Sequence, residues 1–354
     1  MAAALNLGFL QNPDLYHQLL VNDVPKAFLE SASQPSLDAP LANLLQGGHF
    51  RRGADKALRD LLAHSGDDPT FLLQLLYTRL ACLVLISRPD LAAQEALPLL
   101  DLMARNPPGV QDIVQIMPWE FRMLLVRLQS IGAADGGRRG IMALYAIAGE
   151  VRANLRHARS SSDNDNAALW TGRIHDLGLR VCDALVEMGE LETATRHLDT
   201  LADVDQEELG YRKALLKVRV GDVTGARQCS DQLQDAARKK GLESLLEVAD
   251  GDYSSAVRQW NSLTENHADH DSVAQNIAVS LLYTGQIATA RDVLEDLATR
   301  LSIFPTLLFN LSTVYELCSE RAMDRKTTLT QRAAENPPGP GSGGWERSTF
   351  EFKL

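Results

Sequence analysis

The residues best able to do chemistry in this chain are two histidines and one run of acids and amides. His267 and His270 lie in Asn-His-Ala-Asp-His-Asp, which contains metal-ligand residue types but joins two predicted helices. A loop role is therefore the favoured interpretation over a metal site. Residues 163–166, Asp-Asn-Asp-Asn, begin like a calcium loop but lack its later glycine and its bidentate acid. We predict no metal site.

Other chemistry has little support in the sequence. There is no GxxxxGK[ST], HExxH or GxSxG motif, and no GxGxxG follows a strand, so we predict no catalytic residues and no cofactor. A formal net charge of −11 disfavours nucleic acid as a partner. The longest apolar stretch, 71–86, is shorter than the roughly 20 residues that span a bilayer. It also contains Arg79, so we predict no transmembrane segment.

The elements that would position functional residues are helical hairpins, and the second half of the chain repeats them. Four similar phrases each contain a glycine followed five positions later by an alanine. The pairs are Gly189/Ala194, Gly221/Ala226, Gly251/Ala256 and Gly285/Ala290. The glycines are spaced by 32, 30 and 34 residues, near the period of about 34 that is typical of tetratricopeptide repeats. A glycine can end the first helix in a left-handed conformation, and a small alanine lets the second helix pack closely.

The predicted fold class is all-α, a right-handed α-solenoid of antiparallel helix hairpins with tetratricopeptide-like repeats. Leucine and alanine dominate the composition, which favours helices over strands. We predict four segments along the chain. They are irregular N-terminal helical hairpins at 1–159, a polar linker at 160–166, the repeat array at 167–335, and a Pro/Gly linker with a terminal tail at 336–354.

Three details of this division are open to test. In the first half, 37–46 pairs with 51–64, 70–86 with 90–106, and 119–130 with 138–159. The last helix of the array, 322–335, is polar on most of its surface and is predicted to be a terminal cap. The tail, 345–354, contains Trp345, Phe350 and Phe352. It could dock back onto the repeat array, dock onto a partner, or stay disordered.

Two phrases near the C-terminus carry a family resemblance. They are Asn-Ile-Ala-Val-Ser-Leu-Leu-Tyr-Thr-Gly at 276–285 and Leu-Phe-Asn-Leu-Ser-Thr-Val-Tyr-Glu-Leu at 308–317. They are similar to N-x-A-V-x-L-L-Y-x-G and F-N-L-[ST]-T-x-Y-E-L, phrases of the subunit 12 family of the transport protein particle (TRAPP) complex. The matching residues are Asn276, Ala278, Leu281, Tyr283, Asn310, Leu311, Tyr315, Glu316 and Leu317. The Pro/Gly stretch at 337–344 departs from the family pattern.

The resemblance implies a function as well as a fold. It implies a non-enzymatic accessory subunit of a vesicle-tethering complex that acts in ER-to-Golgi traffic and autophagy. The implied partners are other TRAPP subunits, most plausibly the large accessory subunits eight, eleven and thirteen, with an indirect link to a Rab-family GTPase. The implied location is cytoplasmic, peripheral at the ER–Golgi intermediate compartment and Golgi membranes. From the repeats alone, a generic adaptor stays open, such as a chaperone-associated peptide-binding protein, as does an enzyme with an unrecognised site in the first half.

Overall fold

The computed structural model describes residues 7–36, 38–65, 68–105, 107, 110–131, 137–201, 204–264, 271–300, 303–318, 320–339 and 343–354. Within these ranges every regular element is helical, as an all-α hairpin solenoid requires. None of the described helices combines the length and apolarity needed to cross a membrane. Contacts along the chain define two compact units. Unit 1 is Met1–Ala133 with Arg300–Leu354, and unit 2 is Ala134–Thr299.

Unit 1 contains both ends of the chain. Two 3-10 helices, Gly8–Gln11 and Pro13–Leu15, precede its α-helices. The α-helices are α1 Lys26–Leu29, α2 Leu41–Gln46, α3 Phe50–Ala63, α4 Pro69–Leu85, α5 Pro89–Arg105, α6 Val110–Ile116 and α7 Trp119–Ser130, followed near the C-terminus by α17 Pro305–Cys318, α18 Ala322–Glu335 and α19 Thr349–Phe352. Its core is centred on α4, which packs between α3 and α5.

Unit 2 is a run of helices joined by short turns. Its helices are α8 Arg138–Ser160, α9 Asn164–Glu187, α10 Leu191–Asp199, α11 Gln206–Val220, α12 Val223–Asp231, α13 Ala236–Ala249, α14 Tyr253–Thr264, α15 Asp271–Tyr283 and α16 Ile287–Arg300. Consecutive helices pack on each other through α8–α15. The pairs α9/α10, α11/α12, α13/α14 and α15/α16 coincide with the four repeat phrases.

The four repeat glycines share one backbone conformation. Gly189, Gly221, Gly251 and Gly285 have φ angles of 79°, 89°, 81° and 77°. A Cβ added at any of them would meet no atom within 4 Å. The conformation, and not a lack of space, is therefore what favours glycine at these turns, because L-residues with a side chain are strained at positive φ.

The four repeat alanines are completely enclosed in the core of unit 2. Ala194, Ala226, Ala256 and Ala290 are each at 0% exposure. They lie on α10, α12, α14 and α16, the second helices of the four hairpins. A larger side chain at these positions would keep the second helix from approaching its neighbours, so burial accounts for the small residue.

Large residues one turn after three of the four alanines complete the packing, whereas Ser230 follows Ala226. Leu198, Trp260 and Leu294 are 1%, 3% and 1% exposed. A small residue followed by a large one lets the second helix of a hairpin approach the first and still fill the space beside it.

A bulky residue at the last repeat alanine should destabilise unit 2. Ala290→Trp inserts an indole where no space exists, and overpacking of this kind costs about 1–3 kcal/mol or more. The matched control is Ala288→Trp, because Ala288 is exposed on the same helix. Thermal unfolding followed by circular dichroism should show a lowered Tm for the first variant only. Equal Tm values for the two variants would contradict the repeat register.

The start of unit 2 differs from the predicted pairing of helices. α8 packs along α9, whereas α7 packs on α5 in unit 1. The cause is a three-residue turn, 161–163, in which Asp163 caps α9 by accepting a 3.1 Å hydrogen bond from the backbone N–H of Asn166. Of the seven residues of the predicted linker, 160–166, three form the first turn of α9 and one ends α8, so only 161–163 connect the two helices. The four-segment division itself remains a prediction.

The terminal tail docks onto its own chain within unit 1. Trp345 is 3% exposed, and its ring lies 5.2 Å from the rings of both Phe28 and His49. Its backbone N–H donates to the Gly48 carbonyl at 2.9 Å, and its indole N–H to the Asn336 carbonyl at 2.8 Å. The tail therefore docks back onto the chain, but its contacts include the N-terminal segment as well as α17 of the predicted array.

The docked tail and the N-terminal segment cover α18. Lys326 and Leu329 are 2% and 4% exposed, and Ser31 donates from its hydroxyl to the Ala334 carbonyl at 2.9 Å. The polar character of α18 had predicted an exposed terminal cap, and that prediction is wrong for this face. Short alanine and threonine side chains let neighbouring segments approach the helix, and a hydrogen-bonded lysine is buried there.

Candidate protein-interaction surfaces

The residues that define the repeats stabilise hairpins and do not form a binding site. With side chains at 0% exposure, Ala194, Ala226, Ala256 and Ala290 cannot contact a partner directly. The structure places each of them on a different hairpin and brings no two of them together into one pocket among the described residues. As candidate site residues they are therefore packing positions, and the surfaces that could bind a partner lie elsewhere.

The residues of the two family phrases separate into a core set and a surface set. Ala278, Leu281, Leu311 and Tyr315 are 1%, 4%, 0% and 5% exposed, so they stabilise the helices and cannot contact a partner directly. Asn276 and Asn310 are half-buried. Tyr283, Glu316 and Leu317 face solvent.

Tyr283 forms an aromatic pair at the end of α15 in unit 2. It is 66% exposed, and its ring stacks on Tyr253 at 4.5 Å with an angle of 6° between the planes. The pair links the ends of two hairpins through an offset or stacked contact of the kind that contributes about 0.5–1.5 kcal/mol. It leaves one aromatic face open to solvent.

The surface set on α17 belongs to a larger apolar patch. Phe309 and Phe350 are 39% and 75% exposed, and their ring centroids lie 5.9 Å apart. Leu317, which is 58% exposed, follows Phe309 by eight residues and therefore lies on the same side of α17. We call these residues, together with Thr313 and Lys353, the C-terminal aromatic surface.

Charged groups hold this surface in place. The Lys353 ammonium lies 5.3 Å from the Phe309 ring centroid and 2.6 Å from a carboxylate oxygen of Glu316. The other Glu316 oxygen accepts from Lys326 at 2.5 Å, and Lys326 also donates to the Lys353 carbonyl at 2.9 Å. Hydrogen bonds from the two lysines lower the pKa of Glu316. Glu316, the glutamate of the second family phrase, therefore fixes α19 on α17 and α18.

A concave groove lies between the first helices of two hairpins in unit 2. It has a volume of about 310 Å³ and is lined by apolar residues of α9 and α11, including Val186, Tyr211 and Leu215. Its rim is charged. Arg212 donates to Glu208 at 2.7 Å and to Asp183 at 3.1 Å. The volume of the groove lies at the lower end of the range of small-molecule pockets.

Three of the four basic residues of α11, Arg212, Lys213 and Lys217, are already paired with acids of the chain, whereas Arg219 is exposed beside the groove. Lys213 lies 2.9 Å from Asp199, and Lys217 lies 2.8 Å from Asp222. Arg212 is held by the two carboxylates at the rim of the groove. A site that clamps an acidic C-terminus needs uncompensated cations, and this cluster does not supply them.

The residues considered for chemistry either have structural roles or lie outside the described residues. His267 and His270 lie outside the described residues. Among the residues that are described, no three His, Cys, Asp or Glu side chains group as metal ligands would. Burial raises the pKa of the Cys82 thiol to about 12 and that of Cys182 to about 11. Both thiols are therefore protonated near neutral pH and are poor nucleophiles.

A buried ion pair in unit 1 was not predicted from the sequence. Arg79 and Glu95 have fully buried side chains and form two hydrogen bonds of 2.8 Å. Arg79 also donates to the carbonyls of Ala54 at 3.1 Å and His17 at 2.8 Å. The sequence contains one signal for this pair. Arg79 is a charged residue in the most apolar stretch of the chain, and a buried charge requires a partner.

Comparison with known proteins adds a sequence relationship. No protein-family model matches the chain. Trafficking protein particle complex subunit 12 of Homo sapiens is 23% identical over 337 residues, which cover 83% of this chain and 46% of the human protein. The same subunit of Mus musculus is 23% identical over 339 residues, which cover 83% of this chain and 42% of the mouse protein. The chain thus spans less than half the length of these relatives.

Solved helical-repeat structures overlap with the chain only loosely. A tetratricopeptide repeat protein from Parabacteroides merdae is 16% identical with a TM-score of 0.42, covering 73% of this chain and 91% of that one. The assembly chaperone of RpL4 is 14% identical with a TM-score of 0.32, covering 81% and 96%. The fold assignment therefore rests on the helices, glycine conformations and buried alanines described above.

Repeat architecture and sequence similarity lead to the same description. The four hairpins have the period and the glycine and alanine placement of tetratricopeptide repeats. The curated relatives carry the subunit 12 description that the two C-terminal phrases had indicated. The chain is an all-α protein of tetratricopeptide-like helix hairpins that is similar in sequence to subunit 12 of the trafficking protein particle complex.

Proposed function

We propose that this chain is a non-catalytic scaffold subunit of a vesicle-tethering complex of the TRAPP type. The similarity to subunit 12 over 83% of the chain carries the proposal. A match of that length includes parts of both compact units, so it extends beyond the repeats alone. Helical-hairpin arrays provide extended surfaces for protein partners, which suits a scaffold.

The proposed partners are the large accessory subunits of such a complex, numbered eight, eleven and thirteen. The chain would hold them together, while nucleotide exchange on a Rab-family GTPase would belong to other subunits. The proposed setting is ER-to-Golgi traffic and autophagy, at the cytoplasmic face of ER–Golgi intermediate and Golgi membranes. The protonated buried thiols and the structural role of Asp163 support a role without catalysis.

Affinity purification of the tagged full chain at its native expression level tests this proposal. Mass spectrometry of the eluate should identify the core and large accessory subunits of the tethering complex in defined ratios. Recovery of the chain without any trafficking-complex subunit would overturn the proposal. Recovery of chaperones in place of those subunits would support the alternative adaptor function.

The C-terminal aromatic surface is the proposed contact for one accessory subunit. Phe350→Glu places a charge at a side chain that is 75% exposed, so the fold should tolerate it and partner binding should not. The matched control is Leu97→Glu on α5, which is 53% exposed. We expect an affinity loss of about tenfold or more for the first variant and none for the control. Equal recovery of partners by both variants would exclude this surface.

The chaperone-adaptor alternative predicts binding of an acidic C-terminal peptide in the groove between α9 and α11. Isothermal titration with such a peptide distinguishes the two functions. Because Arg212, Lys213 and Lys217 are engaged with acids of the chain, we expect no measurable binding. Saturable binding that is lost in Arg212→Ala would support the adaptor function.

A further inference from the structure

Helix α8 is strongly basic within an acidic protein. Its 23 residues contain five arginines and one glutamate, a formal charge of +4, whereas the whole chain carries −11. Basic side chains at the C-terminal end of a helix favour its dipole, which accounts for Arg159 and His157 in the last turn. It does not account for Arg152, two turns earlier.

The exposed face of α8 is ordered into an apolar end and a basic end. Met142 and Tyr145 are 69% and 48% exposed. Gly149, Arg152 and Arg156 continue the same face, because all five positions fall within about 80° around the helix. Added at Gly149, a Cβ would meet no atom within 4 Å, so the middle of the face is open.

A cavity of about 230 Å³ adjoins this face. It is lined by residues of α8, α9 and α10 together with the turn after α10, including Tyr145, Arg152 and His175. Among the described residues, the lining contains apolar side chains, one threonine, one arginine and two histidines, and no acidic side chain. The Arg152 side chain forms no ion pair with the described part of the chain. The cavity therefore offers room for an apolar group and an uncompensated cation beside it.

We propose that α8 and this cavity bind an acidic segment of a partner subunit. An apolar side chain of that segment fills the cavity beside Tyr145, and its carboxylates pair with Arg152 and Arg156. Charge complementarity favours an acidic partner. The cavity favours a side chain that projects from a polypeptide backbone, which a flat lipid surface does not provide. The inference rests on the proposed scaffold function and assigns it a second contact, on unit 2.

The test uses the full-length chain and the purified accessory subunit that it recovers in the affinity purification. The double variant Arg152→Glu/Arg156→Glu should weaken binding about tenfold or more, and the remaining affinity should depend less on salt. The matched control is Arg180→Glu/Arg196→Glu, since both arginines are exposed in unit 2 and pair with acids four residues earlier. Thermal unfolding of both variants checks that they are folded.

A photo-crosslinking amino acid at Met142 identifies the bound segment. The crosslinked peptide should contain several Asp or Glu residues and an apolar anchor, and reversing its charges to Arg should restore binding to the double variant. Binding by the wild type that is unchanged in the double variant would overturn the inference and leave the scaffold function standing. No binding by the wild type would instead count against the scaffold function. A further assay is pelleting with phosphatidylserine vesicles. If the wild type and the control variant pellet with the vesicles and the double variant does not, while subunit binding by the double variant is intact, the protein-partner assignment would be overturned.

Discussion

Replacing Glu95 with leucine is expected to lower the free energy of unfolding by about 3–5 kcal/mol. The substitution leaves the Arg79 guanidinium at 0% exposure without its carboxylate, and arginine cannot shed its charge. It also removes the acceptor of the 2.9 Å hydrogen bond from the backbone N–H of His17. Urea unfolding followed by circular dichroism measures the change.

A double variant separates the unpaired charge from the loss of packing. Arg79→Met/Glu95→Leu removes both charges, and neutral replacement of a buried pair by apolar residues is often tolerated. We expect the double variant to be more stable than Glu95→Leu alone. Strict additivity of the two single substitutions would contradict the pairing, because residues in contact are coupled by about 0.5–3 kcal/mol.

Trp345→Ala should be nearly as damaging, although Trp345 lies in a segment that its Pro/Gly surroundings mark as a loop. The indole is 3% exposed between Phe28 and His49, and truncation of a buried tryptophan costs about 3–5 kcal/mol. The two hydrogen bonds of Trp345 anchor the tail to Gly48 and Asn336. Thermal unfolding should show a lower Tm, and limited proteolysis should release the tail.

Phe350→Ala is the control for the docked tail. Phe350 lies five residues later and is 75% exposed, so its removal should change stability by less than about 0.5 kcal/mol. Phe352, by contrast, is at 0% exposure and lies 6.2 Å from the Phe28 ring. Unchanged Tm and unchanged proteolysis in Trp345→Ala would mean that the tail does not stabilise unit 1.

The repeat hairpins could be predicted because their determinants are local. A glycine with positive φ and an alanine five residues later form one turn between two helices, and both requirements follow from backbone and side-chain sterics. The spacing therefore predicted α9–α16 without knowledge of any distant contact. Six helices of the first half were predicted with similar bounds, because apolar periodicity and proline boundaries are also local signals, whereas the short helices α1 and α6 were not predicted.

Features that depend on distant residues could not be predicted. Nothing in the sequence near Arg79 identifies Glu95, on the next helix, as its partner. Docking of Trp345 depends on Phe28 and Gly48, about three hundred residues earlier in the chain. The exposed cap expected at α18 was wrong in part for the same reason, since the N-terminal segment that covers one side of it lies about three hundred residues earlier.

The candidate site was predictable in part. The phrase at 308–317 contains Glu316 and Leu317, which lie at the surface, but also Leu311 and Tyr315, which form the core. A family phrase mixes residues retained for packing with residues that could contact a partner, and only burial separates them. The basic face of α8 was overlooked because its arginines are spaced along a helix and form no run.

Analytical size exclusion with light scattering on purified components tests the scaffold claim most directly. The full-length chain, mixed with each purified large accessory subunit, should form a complex of defined mass with at least one of them. Phe350→Glu combined with Arg152→Glu/Arg156→Glu should abolish that complex while the variant still unfolds cooperatively. A wild-type chain that is folded and forms no complex with any of these subunits would contradict the account.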